Sequence, residues 1–327
     1  MKYRQLGRTG LRVSQVILGC GNFGGIGSAP AFFGKGEDRR AAFALMDRAW
    51  ELGINCFDTA DAYGGGASEA MIGEWLASKG PEVQGGLLIA TKVFNRVGPG
   101  PNDWGLSRRH IQRQVEASLR RLGREAIDLY LVHEPDPTTP IDETLRALDD
   151  LVRAGKLRYL GASNFPAWRV CQALWRSDRH ALHRFEFVQN SFSLFDRGDE
   201  RELLPLCEAE QLGYTPFSPL AGGWLTGVYG RGRAYPSGSR MTMRPEPYRR
   251  LECPLVDRSL DRLDALAAAR GCSMAALALA WLLHHPRVTA PIVGPTAPDH
   301  LAPICEALEL DLSADELRTL ADEVVAP

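Results

Sequence analysis

Residues 53–63 read G-I-N-C-F-D-T-A-D-A-Y. Gly53 punctuates the chain, and Ile54, Cys56 and Phe57 make a short apolar run that ends directly on Asp58. That pattern predicts a buried strand with a carboxylate at its C-terminal end, and such a carboxylate is costly unless it finds a partner. Tyr63 stands five residues on, just before Gly64, Gly65 and Gly66. Two later apolar runs end in the same way. Residues 87–90 lead into Thr91-Lys92, and residues 129–132 lead into His133. In a parallel sheet the C-terminal strand ends converge on one face, so Asp58, Tyr63, Lys92 and His133 are predicted to meet there.

Outward from this stretch the same alternation repeats. Residues 2–14 read as a hairpin around Arg8-Thr9-Gly10, and 16–18 as the first buried strand. A glycine-rich loop (19–36) leads into a helix over 38–52. The following strand–helix pairs are 54–57 with 67–79, 87–91 with 107–121, 128–132 with 141–154, 157–161 with 166–176, and 186–189 with 200–211. Strand 214–217 precedes a long loop and helices 258–269 and 273–284, and strand 290–293 precedes helix 298–307. Ser107 is a natural N-cap, and a final helix from Ser313 opens with S-A-D-E, a capping-box start.

Strands rich in Val, Ile and Leu without polar alternation belong in a parallel sheet covered on both faces. Eight units in this length favour a closed (β/α)8 TIM barrel, read as one domain over 1–327 with an N-terminal β-hairpin and an extra C-terminal helix. The competing architecture is an open doubly wound dinucleotide fold. Residues 19–24, G-C-G-N-F-G, fit its glycine spacing by letter, but no second-strand acid other than Asp58 stands where a ribose would need one.

Composition narrows the function classes. The chain has 45% hydrophobic and 24% charged residues, ordinary globular values, and its net charge of −2 gives no basis for nucleic-acid binding. The N-terminus lacks an apolar signal core and the longest apolar run, 274–283, is too short to span a bilayer. The expectation is a soluble cytoplasmic protein with no membrane partner. The seven cysteines form no C-x-x-C pair, so reduced thiols are expected, with neither disulfides nor a metal site. Oligomeric state is not legible.

Six segments in order carry a specific resemblance. D-T-A-x-x-Y (58–63), I-A-T-K (89–92), L-V-H (131–133), G-A-S-N-F (161–165), V-Q-N (188–190) and F-S-P-L-A-G-G (217–223) resemble the aldo-keto reductase family, from Leu6-Gly7 to about Leu308. The resemblance implies an NAD(P)H-dependent oxidoreductase that reduces an aldehyde or ketone to an alcohol, acting on CH–OH groups in reverse. Tyr63 would be the proton donor. A phenol with an ordinary pKa near ~10 is a weak acid at neutral pH, so Lys92 is expected to pull it down. Asp58 would pair with Lys92, and His133 would orient the substrate oxygen. Taken singly, each has an ordinary structural explanation: a packing tyrosine, a structural ion pair, a histidine satisfying backbone.

By the same resemblance, Ser163, Asn164 and Gln189 would hold the nicotinamide amide and Phe217 would stack on its ring, where relatives often have tyrosine. Ser218, Leu220, Gly222 and Gly223 would approach the pyrophosphate, with Gly21, Asn22 and Asp58 also at the cofactor. The eighth segment departs from the pattern. Relatives commonly carry a basic residue there for the adenosine 2′-phosphate, whereas this chain has Thr296-Ala297 with Asp299 close by. Gly294, Thr296 and His300 remain as candidates for the adenosine end. NADP(H) is placed ahead of NAD(H) on family grounds, with NAD or dual use open.

Loops 21–37, 94–106 and 226–257 are expected to shape the substrate pocket, with Phe23, Phe94 and Trp104 as aromatic walls. The third carries six arginines against three acids, leaving sugar-like or anionic carbonyl compounds open as substrates. Two other classes stand beside the reductase. One is a redox-sensing regulatory subunit that keeps the cofactor-binding barrel with little turnover, since ion-channel β subunits resemble this family. The other is a metal-dependent barrel enzyme, which would want more carboxylates or histidines at strand ends than are found.

Overall fold

The computed structural model describes residues 1–327. Two short strands, β1 (Tyr3–Gln5) and β2 (Arg12–Ser14), pair antiparallel with Tyr3 opposite Ser14. Eight parallel strands follow: β3 (Ile17–Gly19), β4 (Cys56–Asp58), β5 (Leu88–Val93), β6 (Ile127–Val132), β7 (Leu157–Ser163), β8 (Phe185–Gln189), β9 (Gly213–Tyr214) and β10 (Ile292–Val293). Their order, β10-β3-β4-β5-β6-β7-β8-β9, is chain order with the last strand returned beside the first. Two hydrogen bonds bring the ends of this curled sheet together. The Thr289 amide donates to the Tyr214 carbonyl (2.8 Å) and the Ile292 amide to that of Pro216 (2.7 Å). The result is a (β/α)8 barrel.

The helices are α1 (Arg39–Glu51), α2 (Ala67–Ala77), α3 (Pro81–Gly86), α4 (Arg108–Leu122), α5 (Ile141–Arg153), α6 (Ala167–Arg179), α7 (Leu203–Ala209), α8 (Arg240–Met243), α9 (Pro254–Ala269), α10 (Met274–His284), α11 (Ala302–Glu309) and α12 (Ala314–Glu323). Their ends follow local chemistry. The Asp38 and Ser107 side chains accept N-terminal amides of α1 and α4. Gly123, at φ +64°, closes α4 in the left-handed conformation a C-terminal cap requires. Ser313 and Glu316 form the full capping box of α12.

Three sequence-based boundaries move. The expected helix over 200–211 shrinks to α7, preceded by a one-turn 3-10 helix at Gly198–Glu200. Asp199 in that turn accepts the Tyr214 hydroxyl (2.7 Å), which ties it to the barrel. Strand 214–217 reduces to β9, and the helix at 298 begins as a 3-10 turn, Pro298–Leu301. Helices α3 and α8 were not expected, although Pro81 at the first turn of α3 is a start signal.

The barrel interior is filled. Ile17, Cys56, Ala90, Leu129, Leu131, Phe187, Ala290 and Ile292 pack together with Leu6 and Val13 of the hairpin, all buried. The hairpin therefore plugs the N-terminal end. Gly7 makes that close approach possible: its φ is +55°, and a Cβ would meet the Gly213 amide nitrogen at 2.5 Å. A larger cluster lies between strands and helices, with Phe57 against Trp75 at 5.5 Å. Helix α10 is buried on nearly all sides, and no single helix is long and apolar enough to cross a membrane. All seven cysteines are free.

With one end plugged and all eight barrel strands parallel, Asp58, Lys92, His133, Ser163 and Gln189 come to the opposite rim, where barrel enzymes build their sites.

Candidate active site

Lys92, the next-to-last residue of β5, is 1% exposed. Its ammonium pairs with Asp58 Oδ1 at the end of β4 and donates to the Thr59 carbonyl (2.8 Å). The second carboxylate oxygen of Asp58 accepts from Gln189 Nε2 (2.8 Å), at the end of β8. Burial works against the ammonium, but Asp58 and then Tyr63 outweigh it and hold the Lys92 pKa above its ordinary value. Lys92 is therefore a charged group fixed from below.

Tyr63 lies above it, with the ammonium 5.2 Å from its ring centroid. The ring is half-buried, and protein surrounds the phenol. Here the structure corrects the sequence-based expectation. Burial raises the Tyr63 pKa above its ordinary value, and the opposing pull of Lys92 does not cancel it. The reason is desolvation of the phenolate. Tyr63 thus holds its proton at neutral pH, the state a proton donor requires.

The Tyr63 hydroxyl is 3.5 Å from His133 Nε2, just past β6. Burial, and next the charge of Lys92, push the His133 pKa well below its ordinary value, so the ring is neutral. Asn95 Nδ2 donates to His133 Nδ1 (3.0 Å). An amide NH2 only donates, so Nδ1 accepts and Nε2 carries the hydrogen, next to the phenol. Sequence reading missed Asn95. It lies two residues past β5, and nothing local marks it as a partner of His133.

These groups floor a cleft of about 1190 Å³, roomy enough for an extended ligand and a small second molecule. Every residue assigned from sequence to the cofactor lines it: Gly21, Asn22 and Asp58, then Ser163, Asn164 and Gln189, then Phe217, Ser218, Leu220, Gly222 and Gly223, and finally Gly294, Thr296 and His300. Tyr63 and His133 line it as well, while Lys92 sits behind. The substrate-wall assignments fare differently. Phe23 is 1% exposed and belongs to the core, because backbone bonds such as Gly24 N–H to the Glu37 carbonyl (2.8 Å) fold its loop back on itself. Phe94 and Trp104 pack edge to face on each other at 6.0 Å. None of the three lines the cleft. Ile26, Lys35, Glu37, Arg240, Met243 and Tyr248 line it instead.

The residues present fit a nicotinamide dinucleotide. Ala221, Gly222 and Gly223 run at φ +49°, +66° and +106°, a nest of the kind that receives phosphate. The amides of Ala221 and Gly223 bond within the turn, leaving that of Gly222 without a backbone acceptor. A Cβ at Gly222 would strike the Tyr248 ring at 2.5 Å, so only glycine serves there. Asn164, at φ +59°, bonds the His133 carbonyl (3.0 Å) and Ser163 Oγ (3.2 Å). It therefore stands beside Ser163 in the cleft lining, which Gln189 shares. At the far end, Thr296 Oγ1 and His300 Nδ1 are 3.1 Å apart, and Thr296, Asp299, His300, Pro303 and Ile304 bring no lysine or arginine to the lining.

A second, smaller depression of about 470 Å³ lies at the hairpin end. Its Arg4 is committed to the carbonyls of Leu283, Val288 and Thr289, and its Glu208 is paired with Arg287 at 2.7 Å.

Residues 15–324 match the model of the Aldo/keto reductase family. The chain belongs to the aldo/keto reductase family. It is 37% identical over 338 residues to "Uncharacterized oxidoreductase YrpG" of Bacillus subtilis (strain 168), covering 100% of this chain and 97% of that protein. It is 35% identical over 349 residues to versiconal hemiacetal acetate reductase of Aspergillus parasiticus, covering 99% and 97%. It is 36% identical over 315 residues to a probable voltage-gated potassium channel subunit beta of Oryza sativa subsp. japonica, covering 95% and 92%. As an aldo/keto reductase the chain is an oxidoreductase of a family that uses nicotinamide cofactors, and its polar strand ends form one connected group of Asp58, Lys92, Tyr63, His133 and Asn95.

Proposed function

We propose that this aldo/keto reductase reduces an aldehyde or ketone to the alcohol, reversibly, with Tyr63 as proton donor. The observation that carries the reading is the pair of hydrogen-bond donors at the cleft floor. The Tyr63 hydroxyl and the Nε2–H of His133, 3.5 Å apart, converge where a carbonyl oxygen would sit. A bound nicotinamide dinucleotide supplies the hydride to the carbonyl carbon. Ser163, Asn164 and Gln189 would hold its amide, Phe217 its ring and the Gly222 region its phosphates. NADP(H) is put ahead of NAD(H) on family grounds.

The protein's own part is positional and electrostatic. Neutral His133 donates to the carbonyl oxygen and fixes its direction. As negative charge develops on that oxygen, Tyr63 gives up its phenolic proton. Lys92 then matters most, because its fixed ammonium stabilises the phenolate left behind. Asp58, held by Gln189, keeps the ammonium charged and in place.

The relatives named as channel β subunits favour a second reading, a redox-sensing subunit that binds cofactor with little turnover. One experiment separates the two: NADPH and NADH titrations by intrinsic fluorescence, followed by turnover of para-nitrobenzaldehyde. Cofactor binding with turnover supports the reductase. Tight binding without turnover on a panel of aldehydes and ketones refutes it.

A further inference from the structure

Glu37 lines the cleft just ahead of α1. Its backbone is tied to a residue assigned to the cofactor: the Glu37 amide donates to the Asn22 carbonyl (2.9 Å), and the Glu37 carbonyl accepts the Gly24 amide (2.8 Å). Helix α1 then packs on the turn Pro298–Leu301, which carries Asp299 and His300. Glu37 therefore belongs to the wall that joins Asn22 to the His300 turn. Residues assigned to both halves of a dinucleotide line the same cleft, and a cofactor that reached His300 would cover this wall.

The carboxyl there has no partner. Its Oε2 is buried without a hydrogen bond. A carboxylate so placed is costly, and the neutral acid much less so. The charged groups around it are committed elsewhere. Arg240, in the same lining, donates to Asn22 Oδ1 (2.6 Å) and acts on Glu37 only through space. Lys35 lies over the Phe32 ring, and Asp38 accepts the Ala41 amide at the start of α1. His300 Nδ1 is 3.1 Å from Thr296 Oγ1, and Asp299 is an exposed further acid. Burial pushes the Glu37 carboxyl up to about 7, against smaller pulls from its own amide and from Arg240. The free protein near neutral pH thus holds both forms.

We propose that Glu37 takes up a proton when a nicotinamide dinucleotide binds, so that cofactor affinity falls as pH rises through neutrality. This rests on the cofactor reading above and adds a pH dependence to it. The pyrophosphate brings negative charge into the cleft, and the ligand strips water from the carboxyl; both disfavour its ionised form. The neutral acid removes the repulsion and offers an O–H donor.

NADH is the probe, because the 2′-phosphate of NADPH itself titrates in this range. Fluorescence titrations at about pH 6 and pH 8 give the affinities, and calorimetry at about pH 7 in two buffers of different ionisation enthalpy counts the protons. The wild-type protein is expected to bind NADH about tenfold less tightly at the higher pH and to take up about half a proton at pH 7. Glu37→Gln, shaped like the neutral acid, should bind at the higher pH as the wild type does at the lower, with no uptake. His300→Asn controls for the imidazole in the same cleft and should keep both effects. Circular dichroism confirms that both variants are folded. Wild-type binding that is independent of pH, with no proton taken up, overturns the proposal. So does a pH dependence that survives Glu37→Gln or vanishes with His300→Asn. A Glu37→Gln variant weakened equally at both pH values also overturns it, and would make Glu37 a hydrogen-bond acceptor for the cofactor. If only NADPH binds, the difference between wild type and Glu37→Gln is read instead, in which the phosphate's own titration cancels. Binding of neither dinucleotide defeats the cofactor reading itself.

Discussion

Replacing Lys92 by methionine separates what its ammonium does for the fold from what it does for the chemistry. The side chain is 1% exposed, so methionine fills most of the space, but Asp58 (4% exposed) is left as a buried carboxylate without a cation. Breaking such a pair from one side costs about 3–5 kcal/mol. Asp58 keeps the Gln189 bond at 2.8 Å, which places the loss towards the lower end. Urea unfolding at pH 7 reads it directly. The double variant Asp58→Asn, Lys92→Met removes the stranded charge as well, and should be more stable than Lys92→Met alone by about 1–3 kcal/mol. Additive losses would refute the argument that an uncompensated charge, rather than lost packing, sets the cost. Activity should fall by about 10²- to 10⁴-fold. Burial already raises the Tyr63 pKa and Lys92 is the largest opposing influence; without it the phenolate has no counter-charge.

Two other variants test the surroundings of the site. Asn95→Ala removes the donor to His133 Nδ1, so the ring is free to adopt the other tautomer. We expect kcat to drop about tenfold or more with a smaller change in cofactor affinity, and equal kcat would show that Asn95 does not set the tautomer. Glu37→Gln should change the pH dependence of stability. The folded carboxyl titrates at about 7 against an ordinary 4.5, so between those values the folded state binds more protons than the unfolded one, and stability falls as pH rises through that window. The variant should flatten this slope in urea midpoints taken at about pH 5 and pH 8, and an unchanged slope would locate the titration elsewhere.

The legible parts of this protein are those that local sequence dictates. Asp58, Lys92, His133 and Gln189 each end an apolar run, and a parallel barrel leaves such residues nowhere but the rim. The residues assigned to the cofactor line one cleft, and Asn164, Ser218, Gly222 and Gly223 among them sit in left-handed turns of the loops that follow β7 and β9. What sequence did not disclose depends on long-range contacts. Barrel closure runs through single amides at Thr289 and Ile292 rather than long strands. Phe23 carries no mark that its loop returns to the core. Asn95 becomes relevant only because β5 and β6 are neighbours, in register from Ala90 opposite Leu129. The Tyr63 shift runs opposite to the one its motif predicts, because the motif displays the cation beside the phenol and not the burial that outweighs it.

The central claim is that Tyr63 delivers the proton, and Tyr63→Phe tests it most directly. The substitution removes one hydroxyl from the cleft floor and leaves the cofactor-lining residues in place. Single-turnover reduction of an aldehyde, measured with NADPH binding on the same preparation, should show a rate loss of about 10²-fold or more with binding nearly unchanged. A variant that binds NADPH and reduces the aldehyde at the wild-type rate would contradict the role given to Tyr63.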